Sequence, residues 1–369
     1  MTRLSRRSFF QLSAAATAAS ILRPLAEAQM AAVARPPAHS PNAVMIDANE
    51  NPLGPSQAAR EAVAAMIPHG GRYQFDLTRD LSVLFARSQG LHVDWVSATV
   101  GSTPALGLTV LAFTSSTKSY VTGDPGYEYG LGTAQSNGAR VVNVPLTKTY
   151  AHDIKAMIAA APDAGLFYIC TPNNPTGTLT SHSDIEYLVE NKPKDSIVLV
   201  DEAYIHFCEA PSAIDLVKAG KDVVVLRTFS KLYGMAGLRC GFVIARPDLM
   251  HRIMLRGGWN PMPVTAVAAA KASLTDPGIV PERRRINATV RQQTFEWLDR
   301  NGYAYIPSDS NCFMLDTKHP GEQVREAMAK EDVLVGRIWP SMPTYVRITV
   351  GTQEEMEKFQ AAWQKVMKA

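Results

Sequence analysis

The sequence predicts an α/β protein, in which a large domain with a mostly parallel sheet flanked by helices is followed by a smaller α+β C-terminal domain. Two observations lead to this prediction. Between residues 96 and 245, short apolar runs alternate with helical or turn segments, a pattern typical of parallel sheets. After about Pro261, the pattern changes to longer helical segments with fewer and shorter strands.

Seven apolar runs have the length and composition of buried parallel strands. They are Val96–Val100, Ser119–Thr122, Val141–Val144, Leu166–Cys170, Ile197–Val200, Val223–Leu226 and Gly241–Ala245. The C-terminal part is predicted to contain one long helix over Thr265–Asn301, strands at Asn311–Leu315 and Tyr345–Val350, and helices around Gly321–Glu331 and Glu354–Lys368. We therefore predict an N-terminal arm over residues 29–68 that joins the small domain, a large domain over 69–260 and a small domain over 261–369.

Residues 1–28 are predicted to be a signal peptide. A charged region, an apolar region of small residues and a small-residue cleavage site follow one another in the usual order. The pair Arg6 and Arg7 before Phe9 and Phe10 resembles a twin-arginine export signal. A tail with two chance arginines is the alternative. We expect a periplasmic or secreted protein that is exported folded, after it has bound any cofactor.

The charge and cysteine patterns exclude several classes of function. Residues 1–28 carry a net charge of +3, which equals that of the whole chain, so the rest gives no sign of nucleic-acid or anionic-membrane binding. No apolar run beyond the N-terminus has the length of a transmembrane helix. The four cysteines form no C-x-x-C pair, and no His/Cys cluster has metal-ligand spacing, so we expect buried free thiols and no metal.

A lysine directly after a buried strand is the first chemical signal. Lys231 ends the segment 227–231 (RTFSK), where desolvation of its charge would be costly. A nucleophile with a lowered pKa, or an amine bound in an imine, explains such a position. Ser230 and Arg239 could supply a hydroxyl and a guanidinium for a phosphate. A solvated loop lysine is the structural alternative.

A carboxylate at the tip of another apolar strand is the second signal. Asp201 follows Val198–Val200 and could pair with a pyridine nitrogen, which would keep that nitrogen protonated. Tyr204 could then donate a hydrogen bond to a phenolic oxygen on the same ring. A helix N-cap is the structural explanation for such an aspartate.

Three turns after strands add further candidates. Residues 170–177 (CTPNNPTG) form a fixed turn that can direct the Asn174 amide at a ligand. In residues 100–104 (VGSTP), Pro104 suits a first helical position, and the hydroxyls of Ser102 and Thr103 with free N–H groups make an anion site. In residues 124–129 (DPGYEY), Tyr127 could stack on a planar ring. An ordinary turn, a helix cap and a surface tyrosine are the respective alternatives.

Taken together and in this order, the motifs resemble those of the fold-type I aminotransferases of class I/II, which use pyridoxal 5′-phosphate (PLP). The chain is most similar to their histidinol-phosphate aminotransferase branch. The resemblance extends from Asn49 to Thr352 and also includes the segments 48–54 (ANENPLG), 71–73 (GRY) and 345–351 (YVRITVG).

The resemblance implies a role for each matching residue. The catalytic residues would be Lys231, which carries PLP as a Schiff base and transfers a proton, Asp201 on the ring nitrogen, and Tyr204. The implied cofactor-binding residues are Ser102, Thr103, Tyr127, Asn174, Asp201, Tyr204, Ser230, Lys231, Arg239 and, across the interface of a homodimer, Tyr73. The implied substrate-binding residues are Arg347, which suits an α-carboxylate, Arg337 and Asn51.

The resemblance predicts an aminotransferase that moves an amino group between an amino acid, or an amine like histidinol phosphate, and a 2-oxo acid. The donor stays open, because the phosphate turn has no acidic residue and Arg337 precedes an unusual segment, residues 338–343 (IWPSMP). Decarboxylation, racemisation or amine oxidation on the same scaffold are alternatives. A PLP-sensing regulator would need a DNA-binding domain, which the residues before Asn49 do not provide.

Overall fold

The computed structural model describes residues 40–257 and 261–368, so the predicted signal peptide at 1–28 and residues 29–39 lie outside the described residues. The strands are β1 (Val44–Ile46), β2 (Val96–Thr99), β3 (Ser119–Asp124), β4 (Val141–Pro145), β5 (Ala164–Cys170), β6 (Ile197–Asp201), β7 (Val223–Thr228), β8 (Gly241–Ala245), β9 (Tyr305–Ile306), β10 (Cys312–Asp316), β11 (Val333–Val335) and β12 (Tyr345–Thr349). Each strand predicted between 96 and 245 is present, with ends within two residues of the predicted ones.

Twelve α-helices occur among the described residues. They are α1 (Gln57–Met66), α2 (Phe75–Ser88), α3 (Ser102–Phe113), α4 (Tyr129–Ser136), α5 (Ile154–Ala160), α6 (His182–Asn191), α7 (Ile214–Lys218), α8 (Pro247–Met254), α9 (Val264–Thr275), α10 (Ile279–Arg300), α11 (Gly321–Lys330) and α12 (Gln353–Val366). Within the described residues, no helix combines the length and the hydrophobicity that a membrane span requires.

Seven strands form the large sheet, in the order β2-β8-β7-β6-β5-β3-β4. Its pairs are parallel except those of β8, which runs antiparallel to both β2 and β7. The mostly parallel sheet is therefore confirmed, but the prediction that Gly241–Ala245 is a parallel strand is wrong. The segment between β7 and β8 contains only a short 3₁₀ turn, Ala236–Leu238, instead of the crossover helix that a parallel return requires.

Hydrophobic side chains cover both faces of this sheet. In β6, Val198 and Val200 belong to one buried cluster, and Ile197 and Leu199 belong to another. The first cluster includes apolar residues of α1, α2, α5, α6, α7 and α9, and the second includes residues of α3, α4 and α8. Alternation along a strand with apolar residues on both sides is what a sheet between two helical layers requires. The prediction of a sheet flanked by helices is confirmed.

The remaining elements form a smaller part with its own core. The antiparallel sheet β12-β10-β9 and the parallel pair β1-β11 pack with α10, α11 and α12. Helix α9 instead contributes Ala266 and Ala270 to the core of the large sheet. The predicted domain boundaries at 68/69 and 260/261 stay a prediction.

One predicted helix is in fact two. The sequence predicts a continuous helix over Thr265–Asn301, but α9 ends at Thr275 and α10 begins at Ile279. Pro277 explains the break, because the residue before a proline is displaced from the helical region. Asp276 accordingly has an extended backbone, with φ −90° and ψ 103°.

Candidate functional site

The predicted site residues gather at one edge of the large sheet. The carboxyl ends of β2, β3, β5, β6 and β7 lie at this edge, and because β8 is antiparallel, its amino end lies there too. Ligands of open α/β sheets bind outside the carboxyl ends of the strands. The loops at this edge carry Tyr127, Asn174, Tyr204, Ser230, Lys231 and Arg239, the first turn of α3 carries Ser102 and Thr103, and Asp201 is the last residue of β6.

The Lys231 amine is half-buried and reaches into the centre of this group. Its Nζ donates to the Ala48 carbonyl at 3.1 Å and lies 5.7 Å from the centroid of the Tyr204 ring. Burial, followed by the positive charge of Arg347, lowers the pKa of Lys231 to about 8. An amine with this pKa has a substantial neutral fraction, which is the form that attacks a carbonyl carbon.

The Asp201 carboxylate is buried near this amine. Its Oδ2 accepts a hydrogen bond from the Tyr168 hydroxyl at 3.0 Å, and its Oδ1 accepts one from the Ala203 N–H at 3.1 Å. Burial raises the pKa of Asp201 to about 6, while these two bonds and the charge of Lys231 act in the opposite direction. The carboxylate is therefore mostly ionised at neutral pH.

This carboxylate fits a protonated pyridine ring. No cationic side chain among residues 40–257 and 261–368 forms an ion pair with Asp201, although it is only 4% exposed. A buried charge without an opposite charge is costly, so a cationic ring nitrogen would stabilise it.

A second group of donors fits a phosphate. Arg239 Nη1 donates to Ser230 Oγ at 3.2 Å, and Arg239 Nη2 lies so near Gly101 that a Cβ there would be 2.5 Å away. Gly101 has φ +99° and precedes α3, whose first turn points free N–H groups at the same place. The helix begins at Ser102, so Pro104 is its third residue. The prediction that Pro104 takes the first helical position is wrong.

Aromatic residues lie between these groups. The hydroxyl of Tyr127 is 3.4 Å from Thr103 Oγ1, which places this ring beside the phosphate donors. The Tyr204 hydroxyl is buried and accepts a hydrogen bond from Asn49 Nδ2 at 3.0 Å. Asn49 was not predicted as a site residue.

Arg347 enters the site from β12 of the small sheet. Its side chain is buried, Nη1 donates to Asn174 Oδ1 at 2.9 Å and Nη2 donates to the Asp47 carbonyl. Its Nε has no hydrogen-bond partner among the described residues. A buried guanidinium with a donor to spare suits an anionic ligand group.

The turn that carries Asn174 packs closely on the small sheet. Gly177 has φ +72°, and a Cβ there would lie 2.6 Å from the Cys312 carbonyl at the start of β10. Only glycine allows this backbone conformation and this approach without strain. The contact therefore helps to bring Asn174 to Arg347.

The other predicted substrate residues lie at the margins. Arg337 forms an ion pair with Glu128, and its guanidinium lies 4.7 Å from the centroid of the Trp339 ring. Asn51 Nδ2 donates to the Leu232 carbonyl at 2.7 Å, so its amide contacts the backbone next to Lys231.

Tyr73 lies on the surface and stacks on Phe75, with ring centroids 5.3 Å apart.

No group of three or more His, Cys, Asp or Glu side chains that could hold a metal ion occurs in the described part of the chain.

Three residues of the site were missed in the sequence. Asn49 belongs to the matching segment 48–54, but the resemblance implies a role only for Asn51 there. Tyr168 is the one hydroxyl-bearing residue in the apolar run of β5, a signal that could have been used. Glu128 follows Tyr127 directly, but the sequence gives no signal for it, because its partner Arg337 lies 209 positions away.

The pKa of Asp201 predicts how the stability of the cofactor-free protein depends on pH. The pKa is about 6 in the folded protein and 3.8 in an unstructured reference, so the folded state binds the proton more tightly, and stability falls as the pH rises between these values. Asp201→Asn removes this effect. We expect the free energy of unfolding of Asp201→Asn, relative to that of the wild type, to rise by roughly 3 kcal/mol in total between about pH 4 and about pH 6.

Urea denaturation of both cofactor-free proteins at several pH values measures this gain. Asp195→Asn, which neutralises an exposed carboxylate, is the control and should show no such gain. A difference between Asp201→Asn and the wild type that stays constant from pH 4 to pH 7 would contradict the assignment.

Comparison with known proteins agrees with this geometry. The family model "Aminotransferase class I and II" matches residues 44–362. The histidinol-phosphate aminotransferase of Symbiobacterium thermophilum is 34% identical over 86% of this chain and 88% of its own. The aromatic amino acid aminotransferase of Cutibacterium acnes is 32% identical over 87% of this chain and 91% of its own.

A solved structure agrees as well. The histidinol-phosphate aminotransferase of Sinorhizobium meliloti, in complex with pyridoxal 5′-phosphate, superposes with a TM-score of 0.81 at 25% identity, over 88% of this chain and 91% of that one. The predicted family, fold and cofactor are confirmed. The chain belongs to the class I and II aminotransferases and catalyses transamination with PLP as its cofactor.

Proposed function

We propose that Lys231 is the residue that bonds covalently to the PLP aldehyde and transfers the proton at the substrate Cα. The observation that carries this proposal is the position of the half-buried Lys231 amine, which lies 5.7 Å from the centroid of the Tyr204 ring and close enough to the buried Asp201 carboxylate to lower the pKa of that group. When bound, PLP supplies an electron sink for the negative charge that develops at Cα. Asp201 would hold the proton on the ring nitrogen, which would maintain that capacity.

The surrounding residues hold and orient the cofactor. Ser102, Thr103, Ser230 and Arg239 bind the phosphate with the first turn of α3. Tyr127, whose hydroxyl lies beside Thr103, would pack against the ring. Asn174 and Tyr204 hold the phenolic oxygen, with Tyr204 oriented by its hydrogen bond from Asn49.

Arg347 is the proposed site for the substrate α-carboxylate, and Arg337 and Asn51 border the substrate side chain. The amino group passes between an amino acid, or an amine like histidinol phosphate, and a 2-oxo acid. Relatives named for histidinol phosphate and for aromatic amino acids support both donor classes.

Substitution of the amine tests the central assignment. Lys231→Ala should still bind PLP, since the phosphate donors remain, but its transamination rate should fall about 10³-fold, because the proton-transferring amine is missing. Borohydride reduction followed by peptide mass spectrometry should find the PLP adduct on the Lys231 peptide of the wild type and no adduct on the variant.

Lys155→Ala is the matched control, because Lys155 is exposed on α5 and should be dispensable for both the adduct and the activity. Wild-type turnover of Lys231→Ala, or an adduct on another lysine, would refute the assignment.

We further propose that the enzyme acts as a homodimer in which the partner's Tyr73 contacts the cofactor phosphate. Tyr73, Ile67 and Phe75 are large apolar or aromatic side chains exposed by 72%, 63% and 53%. Such a group within nine residues of one another suits a surface that a second copy of the chain covers.

Mixed dimers test whether Tyr73 acts across the interface. Lys231→Ala and Tyr73→Ala subunits, each nearly inactive alone, are unfolded, mixed and refolded together with PLP. If Tyr73 acts on the partner's site, one of the two sites in a mixed dimer is intact, and activity should reach about a quarter of the wild-type value. Refolding each variant alone is the control. No gain on mixing would show that Tyr73 acts within its own subunit or not at all.

We also propose that the protein is exported folded, as a periplasmic or secreted enzyme. The order of charged, apolar and small residues in 1–28, with Arg6 and Arg7 before two phenylalanines, supports this. Replacing both arginines by lysine should retain the full-length protein in the cytoplasm, as fractionation and N-terminal sequencing would show. Equal export of the variant would rule out the twin-arginine route.

A further inference from the structure

A second arginine lies near Arg347, but it is already paired. The guanidinium of Arg337 donates to the Glu128 carboxylate. The guanidinium centres of Arg337 and Arg347 lie 4.7 and 5.5 Å from the centroid of the Trp339 ring, so the two centres are no more than about 10 Å apart. A substrate whose α-carboxylate is bound at Arg347 would therefore have a second arginine near enough for its side chain to reach.

The position of Glu128 is held by the loop after β3. Trp339 Nε1 donates to the Gly126 carbonyl at 2.9 Å, which ties this loop to the segment that carries Arg337. Glu128 follows Tyr127, whose hydroxyl lies beside Thr103 in the proposed phosphate site. The side chains of Arg337 and Glu128 are 29% and 37% exposed, so the pair lies at the margin of the site and is accessible to a ligand.

We propose that Glu128 is a specificity-determining residue that makes the enzyme prefer neutral side chains to anionic ones, such as those that carry a phosphate or a second carboxylate. This inference rests on the proposed role of Arg347. An anionic side chain that approaches Arg337 meets the Glu128 carboxylate, and like charges at a binding site select against that ligand. A neutral side chain meets no such repulsion and leaves the Arg337–Glu128 ion pair intact.

Two unreactive acids, which both carry a carboxylate at one end and differ at the other end, test the selection. Both 3-phenylpropionate and 3-phosphonopropionate lack an amino group, so calorimetry on the PLP-loaded enzyme measures their binding without turnover. We expect the wild type to bind 3-phenylpropionate at least tenfold more tightly. Glu128→Gln should improve binding of 3-phosphonopropionate about tenfold and change that of 3-phenylpropionate less than threefold.

Two further variants separate the local effect from a general change in charge. Glu354→Gln removes a carboxylate from an exposed ion pair with Lys358 on α12 and should leave both affinities unchanged. The double variant Glu128→Gln/Arg337→Gln should lose the gain for 3-phosphonopropionate, because the guanidinium that would bind it is gone.

Each result supports or overturns the inference. Equal binding of the two acids by the wild type, or an unchanged ratio in Glu128→Gln, would overturn the selection by Glu128 while leaving the carboxylate site of Arg347 in place. If the wild type binds neither acid, the proposed substrate site fails, and the selection fails with it.

Discussion

The buried carboxylate of Asp201 is the constraint on which the rest of the site depends. It lies at the end of β6 inside the fold, where a charge is costly unless hydrogen bonds and an opposite charge compensate it. Tyr168 and Ala203 provide the hydrogen bonds, and Lys231 provides a positive charge nearby. The remaining deficit is what a protonated cofactor ring would relieve, so the same burial that weakens the empty protein favours binding of the ring.

The topology of the large sheet explains how one edge collects so many functional groups. Parallel strands end at the same edge, so residues far apart in the chain, such as Ser102, Asp201 and Lys231, become neighbours there. The reversal at β8 adds a further group, because Arg239 precedes this antiparallel strand and therefore reaches the same edge. A crossover to a parallel strand would instead have returned the chain to the opposite edge of the sheet before that strand began.

The small sheet completes the site from the other side. Arg347 contacts Asn174, Asn49 contacts Tyr204, and Arg337 contacts Glu128, so each pair joins a residue near the small sheet to a loop of the large one. Each of these polar contacts holds in a defined position a side chain that borders the proposed site. Carboxylate binding and side-chain selection therefore both depend on contacts between segments more than 150 residues apart.

The sequence by itself determined the fold class, the family, the cofactor and the motifs that carry Lys231, Asp201 and Arg347, because the apolar strands and the polar residues at their ends are local patterns. It did not determine the direction of β8, the contact of Tyr168 with Asp201 or that of Glu128 with Arg337. Strand direction depends on the connection and on the pairing with neighbours, and both contacts join residues that no local pattern relates. Only the tertiary structure decided them, because hydrogen bonds and ion pairs across a fold depend on register and packing.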